Sequence, residues 1–115
     1  MNQPPSTPLL RLRRDPNGNL SKPVFPLLLP ATHGWQPGQI LRIDAQEATG
    51  LEPFPARLLT LYPYPSLAHV SAGLLQLLDG QADAEHSRAF YARHYRRYLD
   101  LETTPFHVLI LHRCR

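Results

Sequence analysis

The chain is poor in several residue types, and each shortage narrows what it can be. Its 115 residues contain one cysteine, Cys114, one lysine, Lys22, one methionine and one tryptophan, Trp35. A lone cysteine forbids an intramolecular disulfide and any multi-cysteine metal centre. Stability must therefore come from burial, and a single domain of this length covers roughly two-thirds of its unfolded surface. Apolar runs are short: Val108 to Leu111 is strand-sized. Nothing approaches the ~20 residues needed to cross a bilayer, so no membrane partner is expected. Residues 1–8, from Met1 to Pro8, have neither a basic region nor an apolar core. They read as a disordered tail rather than a signal peptide, and cytoplasm is the expected compartment.

Proline is plentiful, with thirteen residues, but it is missing from Ser66 to Thr104. Twelve prolines lie at or before Pro65, and the last is Pro105. Proline breaks helix interiors and interrupts sheet ladders. The chain should therefore run as strands and loops, then helices, then one closing strand.

The first strand is expected around Leu9 to Arg13, followed by a turn at Asp15 to Gly18, where Asn17 and Gly18 tolerate positive φ. Val24 to Leu29 is apolar, yet Pro23, Pro26 and Pro30 restrict it to a sheet edge or an extended loop. A turn at Gly34 to Gly38 leads into a strand at Gln39 to Asp44, with Leu41 and Ile43 on one face. Gln46 to Pro55 reads as a polar loop. Ala56 to Tyr62 is apolar on both faces, which suits an interior strand ended by Pro63 and Pro65.

Ser66 is placed to cap a helix carrying Leu67, Val70, Leu74, Leu77 and Leu78, with a break expected at Gly73 and a stop at Gly80. Asp83 can cap a second helix, Ala84 to Leu99. There Phe90, Tyr91, His94, Tyr95, Tyr98 and Leu99 share one face, opposite His86, Arg93, Arg96 and Arg97. Phe106 to Leu111 should be a central strand. Val108 and Ile110 face one covered side and Leu109 and Leu111 the other.

Net charge is +3, and eleven of the twelve cationic side chains are arginine. Residues 1–22 hold four cations against one carboxylate, and residues 83–115 hold six arginines against four carboxylates. Residues 23–82 hold two arginines against four carboxylates. Basic charge is thus gathered toward the two ends. Arginine pairs bidentately with phosphate and stacks on bases, which suits nucleic acid. Codon usage in a GC-rich genome produces the same bias.

The ordered set of signals resembles the ASCH family of PUA-like β-barrels over about residues 20–113. Trp35 to Ile43 resembles the family's glycine-then-acid lead into a strand, and Arg57 to Tyr62 its central strand. Leu78, Asp79 and Gly80 resemble its acid-glycine corner. Phe106 to Leu111 resembles its closing strand. Lys22, sixteen residues before Gly38, falls near the family's lysine. Ser21 precedes it, however, and Pro23, Val24 and Phe25 replace the polar residues that usually follow. The family's leading helix is replaced by Leu9 to Arg13.

The resemblance implies an α+β fold: a PUA-like β-barrel of about five strands with two helices packed at one side, spanning residues 9–115. It implies binding of RNA or a modified nucleotide in the barrel cleft, without cofactor or metal. Trp35, Tyr62 and Tyr64 would stack bases, while Lys22, Arg42, Arg93, Arg96 and Arg97 would meet phosphates. The family also includes amide hydrolases acting on acylated nucleosides such as N4-acetylcytidine, and Lys22 and Asp79 occupy the matching catalytic positions. No hydroxyl follows Lys22 at the third position, where Val24 and Phe25 fall, so catalysis is not the leading expectation. A third reading is a regulatory module that docks a protein partner on the arginine helix face. The six histidines show no close helical spacing of the kind that binds metal, and Cys114 should be inert and frayed at the chain end.

Overall fold

The computed structural model describes residues 7–79 and 103–114. The expected helix at Ala84 to Leu99, with Arg93, Arg96 and Arg97, lies outside the described residues, as do Gly80 and most of the expected tail. Pro8, at the end of that tail, is held in place: its carbonyl accepts the Arg42 N–H at 2.8 Å.

Five strands make one mixed sheet: β1 (Leu9–Arg11), β2 (Val24–Pro30), β3 (Ile40–Asp44), β4 (Phe54–Tyr64) and β5 (Phe106–Arg113), in the order β1-β3-β4-β5-β2. Only β1 and β3 run parallel; the other three pairings are antiparallel. Among the described residues two helices accompany them, the single turn α1 (Gln46–Thr49) and α2 (Ala72–Asp79). The sheet is curled into a half-barrel, with β1 and β2 as its edges.

The prolines explain why β2 lies at an edge. It contains Pro26 and Pro30 and follows Pro23, and each lacks the N–H a ladder uses. An edge strand pairs on one side only, so the missing donors are tolerated. The turn at Asp15 to Gly18 forms as its residues suggest: Asn17 and Gly18 adopt φ of 58° and 65°, and Asp15 Oδ1 accepts the Leu20 N–H at 2.9 Å.

Several boundaries differ from the sequence expectation. β4 is longer, because its ladder continues through Pro63, opposite His107, to Tyr64, opposite Phe106. The helix expected from Ser66 is divided at Val70 and Ser71, not at Gly73. Leu67–His69 is a short 3-10 turn, and α2 starts anew with Ser71 Oγ accepting the Leu74 N–H. The restart changes the helical phase, so Leu75 is buried and Leu77 is exposed. Cys114 is not frayed: its N–H donates to the Pro55 carbonyl at 2.9 Å.

A β-bulge between Leu58 and Thr60 decides how β4 is buried. Side chains alternate faces with period two. Before the bulge, Phe54, Ala56 and Leu58 face the inner core; the extra residue flips the parity, and Leu61 then faces that same core. Thr60, Tyr62 and Tyr64 turn to the outer side, opposite Ile110, Val108 and Phe106. The inner core joins these β4 residues to Leu20, Phe25, Leu41, Ile43, Leu109 and Leu111. A second core on the outer face joins Leu28, Phe106 and Val108 to Leu67, Val70, Leu75 and Leu78. β5 thus has strands on both sides and apolar cover on both faces, as expected of a central strand.

Leu109 is fully buried in the inner core, while Val24 is exposed on the edge strand. Leu109→Ala should lower unfolding free energy by about 2–5 kcal/mol, and Val24→Ala by under about 0.5 kcal/mol. Urea denaturation midpoints of the two variants test this, and equal midpoints would refute the central position of β5.

Candidate nucleic-acid interface

Among the described residues, cover on the outer face of the sheet is confined to one half. α2 and the Leu67–His69 turn pack on β2, β5 and the end of β4. The other half, formed by β1, β3 and the first part of β4, alternates buried and exposed residues as a one-sided sheet does. Its exposed positions include Leu9, Ile40 and Leu59, interspersed with Arg11, Arg42 and Arg57.

The register sets these cations in a row. Arg42 stands opposite Leu9 on one side and Pro55 on the other. Arg57 stands opposite Ile40 and also opposite His112. Arg11, Arg42 and Arg57 are therefore diagonal neighbours, one on each of three adjacent strands. Diagonal positions lie roughly 7–8 Å apart, comparable to successive phosphates of an extended single strand. Arg57 Nη1 donates to the Gly38 carbonyl at 3.0 Å, which orients its guanidinium. Arg11 Nε lies 3.8 Å from Asp44 Oδ2, an exposed pair that contributes little. Arg42 has no side-chain partner among the described residues.

Tyr62 projects from the same outer face beyond the bulge and is 53% exposed. It is roughly 16 Å along the strand from Arg57 by the usual rise. Tyr64 is half-buried against the outer core. The structure thus puts Arg42, Tyr62 and Tyr64 on one face, with Arg57 and Arg11 added to them.

Trp35 lies on the other side. It packs against the inner core and sits beside the His33 ring, with centroids 5.2 Å apart. A hydrogen-bond chain runs through this group. The Trp35 N–H donates to His33 Nδ1 at 2.8 Å, and His33 Nε2 is 2.7 Å from His107 Nδ1. Burial pushes the His33 imidazole below its usual value, and the adjacent His107 adds to the effect. No third His, Cys, Asp or Glu joins the pair among the described residues.

Lys22 is separate from both groups. Its ammonium donates to Asn19 Oδ1 at 2.9 Å. The same Asn19 donates through Nδ2 to the Leu77 carbonyl at 2.9 Å, and Asn17 Nδ2 reaches the Gln76 and Leu77 carbonyls. The Asn17–Asn19 loop therefore satisfies carbonyls that the end of α2 leaves open. Asp79 closes α2, two residues beyond Leu77, and its side chain lies outside what the structure describes. A groove of about 360 Å³ opens beside Arg11, Leu12, Arg13, Asp44, Gln46 and Glu47. None of Lys22, Trp35, Arg42, Tyr62 or Tyr64 lines it.

Two features escaped sequence reasoning. Arg57 alternates with Ala56 and Leu58, so its outward position was readable once the strand was assigned. The His33–His107 contact had no local signal, because it joins residues 74 apart and exists only because β2 pairs with β5. No protein-family model, curated protein or solved structure matches the chain.

The clamp on α2 is open to a direct measurement. Asn19 is buried, so Asn19→Ala should cost about 1–3 kcal/mol through its lost bond to the Leu77 carbonyl. Exposed Lys22→Ala should cost under about 0.5 kcal/mol. Thermal or urea unfolding of both would reverse this assignment if Lys22→Ala proved the more damaging.

Proposed function

We propose that the chain is a PUA-like module that binds RNA or a nucleotide, and that it takes a single strand across the open half of its sheet. The observation that carries this is the row Arg11, Arg42 and Arg57, one per strand on a face that no described element covers. Phosphate contacts dominate nucleic-acid affinity, and three guanidiniums at sheet spacing can follow a backbone. Tyr62, exposed on the same face, offers a ring on which a base can stack. Leu9, Ile40 and Leu59 supply apolar surface between the charges, against which sugars and base edges can pack. The curled five-stranded mixed sheet is compatible with a PUA-like fold.

The exposed apolar residues favour a second reading, a protein-docking module on the same face. Salt dependence separates the two, since counterion release is the mark of phosphate binding. The amide-hydrolase reading draws no support from Lys22, whose ammonium is taken up by Asn19 on a loop that anchors α2.

The test is fluorescence anisotropy with a labelled single-stranded RNA over a series of salt concentrations. Affinity should fall steeply with salt. Arg42→Ala combined with Arg57→Ala should weaken binding and reduce the slope of log K against log salt by about 1.4, or about 0.7 for each lost phosphate contact. Tyr62→Ala should cost about 1–3 kcal/mol of binding. Unchanged affinity in the arginine double variant would reject this surface. Affinity insensitive to salt would favour the protein-docking reading.

A further inference from the structure

The His33, Trp35 and His107 group has a hydrogen-bond pattern that only one protonation state satisfies. His33 Nδ1 accepts the Trp35 backbone N–H, so it carries no proton. A neutral His33 must then carry its proton on Nε2, which donates to His107 Nδ1. His107 Nδ1 is consequently the acceptor, and His107 holds its own proton on Nε2. The reverse arrangement, with His107 donating to His33, would require a proton on His33 Nδ1 that opposes the Trp35 N–H.

A further proton has no compatible position. On His33 it goes to Nδ1 and faces the Trp35 N–H. On His107 it goes to Nδ1 and faces the His33 Nε2–H. Either choice aims two donors at each other and breaks one bond of the chain. Among the described residues the strands around the pair contribute no counter-charge. β2 contributes Leu29 and Pro30, β4 contributes Pro63 opposite His107, and β5 contributes Phe106. Tyr64, the other titratable neighbour, pairs with Phe106 on the opposite face. No carboxylate joins the two imidazoles among the described residues.

Among the described residues, the segment they hold is otherwise lightly tied. Ala31 N–H donates to the Pro105 carbonyl, and Gly38 N–H to the Leu58 carbonyl. Between these anchors, the bonds at His33 and the packing of Trp35 attach the loop to the sheet. Gly34, at φ 74°, and Gly38, at φ 93°, stand at either end of the Trp35 segment.

We propose that the His33–His107 pair is a pH-sensitive latch, which holds the Trp35 loop on the sheet while both imidazoles are neutral and releases it when either takes up a proton. The sign follows from linkage. The latched state binds protons less readily than free histidine, so it is fully populated above about pH 6.5 and is lost as pH falls below that value. The direction agrees with the lowered protonation of His33. This latch stands independently of the RNA-binding surface, which lies on the opposite face.

Trp35 is the only tryptophan, so its emission reports the loop without labelling. Emission wavelength and acrylamide quenching should be followed from about pH 8 to about pH 5, with far-UV circular dichroism recorded alongside. The expected result is a red shift and greater quenching with a midpoint below about 6.5, while the circular dichroism stays constant. His33→Gln combined with His107→Gln should abolish the transition. Should that variant fail to fold, NMR titration of the His33 and His107 ring protons in the parent replaces it, with a His33 midpoint below about 6.5 expected. A flat Trp35 signal would overturn the latch. So would the same transition in the double variant, a circular dichroism change at the same midpoint, or a His33 midpoint at or above the ordinary value.

Discussion

The pairing of β4 with β5 is the constraint on which the other parts depend. It runs from Ala56 opposite Arg113 to Tyr64 opposite Phe106, interrupted once by the bulge at Leu58 and Thr60. Without the extra residue, Leu58 and Leu61 would lie on opposite faces, and one of them would leave the inner core. With it, the core stays apolar along the whole length of β4, and Tyr62 and Tyr64 turn outward. The ladder also leaves β5 a free side on which β2 docks, and that second ladder brings Pro30 beside Phe106.

Two distinct regions follow from this frame. On the outer face, among the described residues, α2 and the Leu67–His69 turn cover the half of the sheet that carries Leu28, Phe106 and Val108. Asn17 and Asn19 hold the end of that helix, so the Asp15 to Ser21 segment acts as a bracket between the strands and α2. The other half carries one arginine on each of β1, β3 and β4, with no described element over them. On the inner side, the β2–β5 ladder ends where His33 follows Pro30 and His107 follows Phe106. The imidazoles meet there because the ladder brings their neighbours together.

The electrostatics differ between these regions for a physical reason. Guanidiniums on an exposed sheet face keep their hydration, and the Arg11–Asp44 contact is too loose to neutralise them. The His33 imidazole is partly removed from water, which favours its neutral form, and the directions of the hydrogen bonds in the pair follow from the single backbone N–H of Trp35.

Much of the fold was legible locally. Proline placement put β2 at an edge. Period-two alternation oriented Leu41 and Ile43, and a strand apolar on both faces had to be central. Asn17 and Gly18 announced their left-handed turn. These follow from backbone sterics and from the burial of adjacent residues, which a sequence states directly. Tertiary structure alone decided the bulge, the restart of α2 at Ser71 that buries Leu75 in place of Leu77, and the side of the sheet on which each candidate residue falls. Trp35 and Arg42 are seven positions apart, yet they belong to opposite faces because strand pairing, rather than proximity in the chain, assigns faces. The His33–His107 contact is the clearest case: each histidine is unremarkable where it stands, and their shared chemistry arises only from the register between β2 and β5.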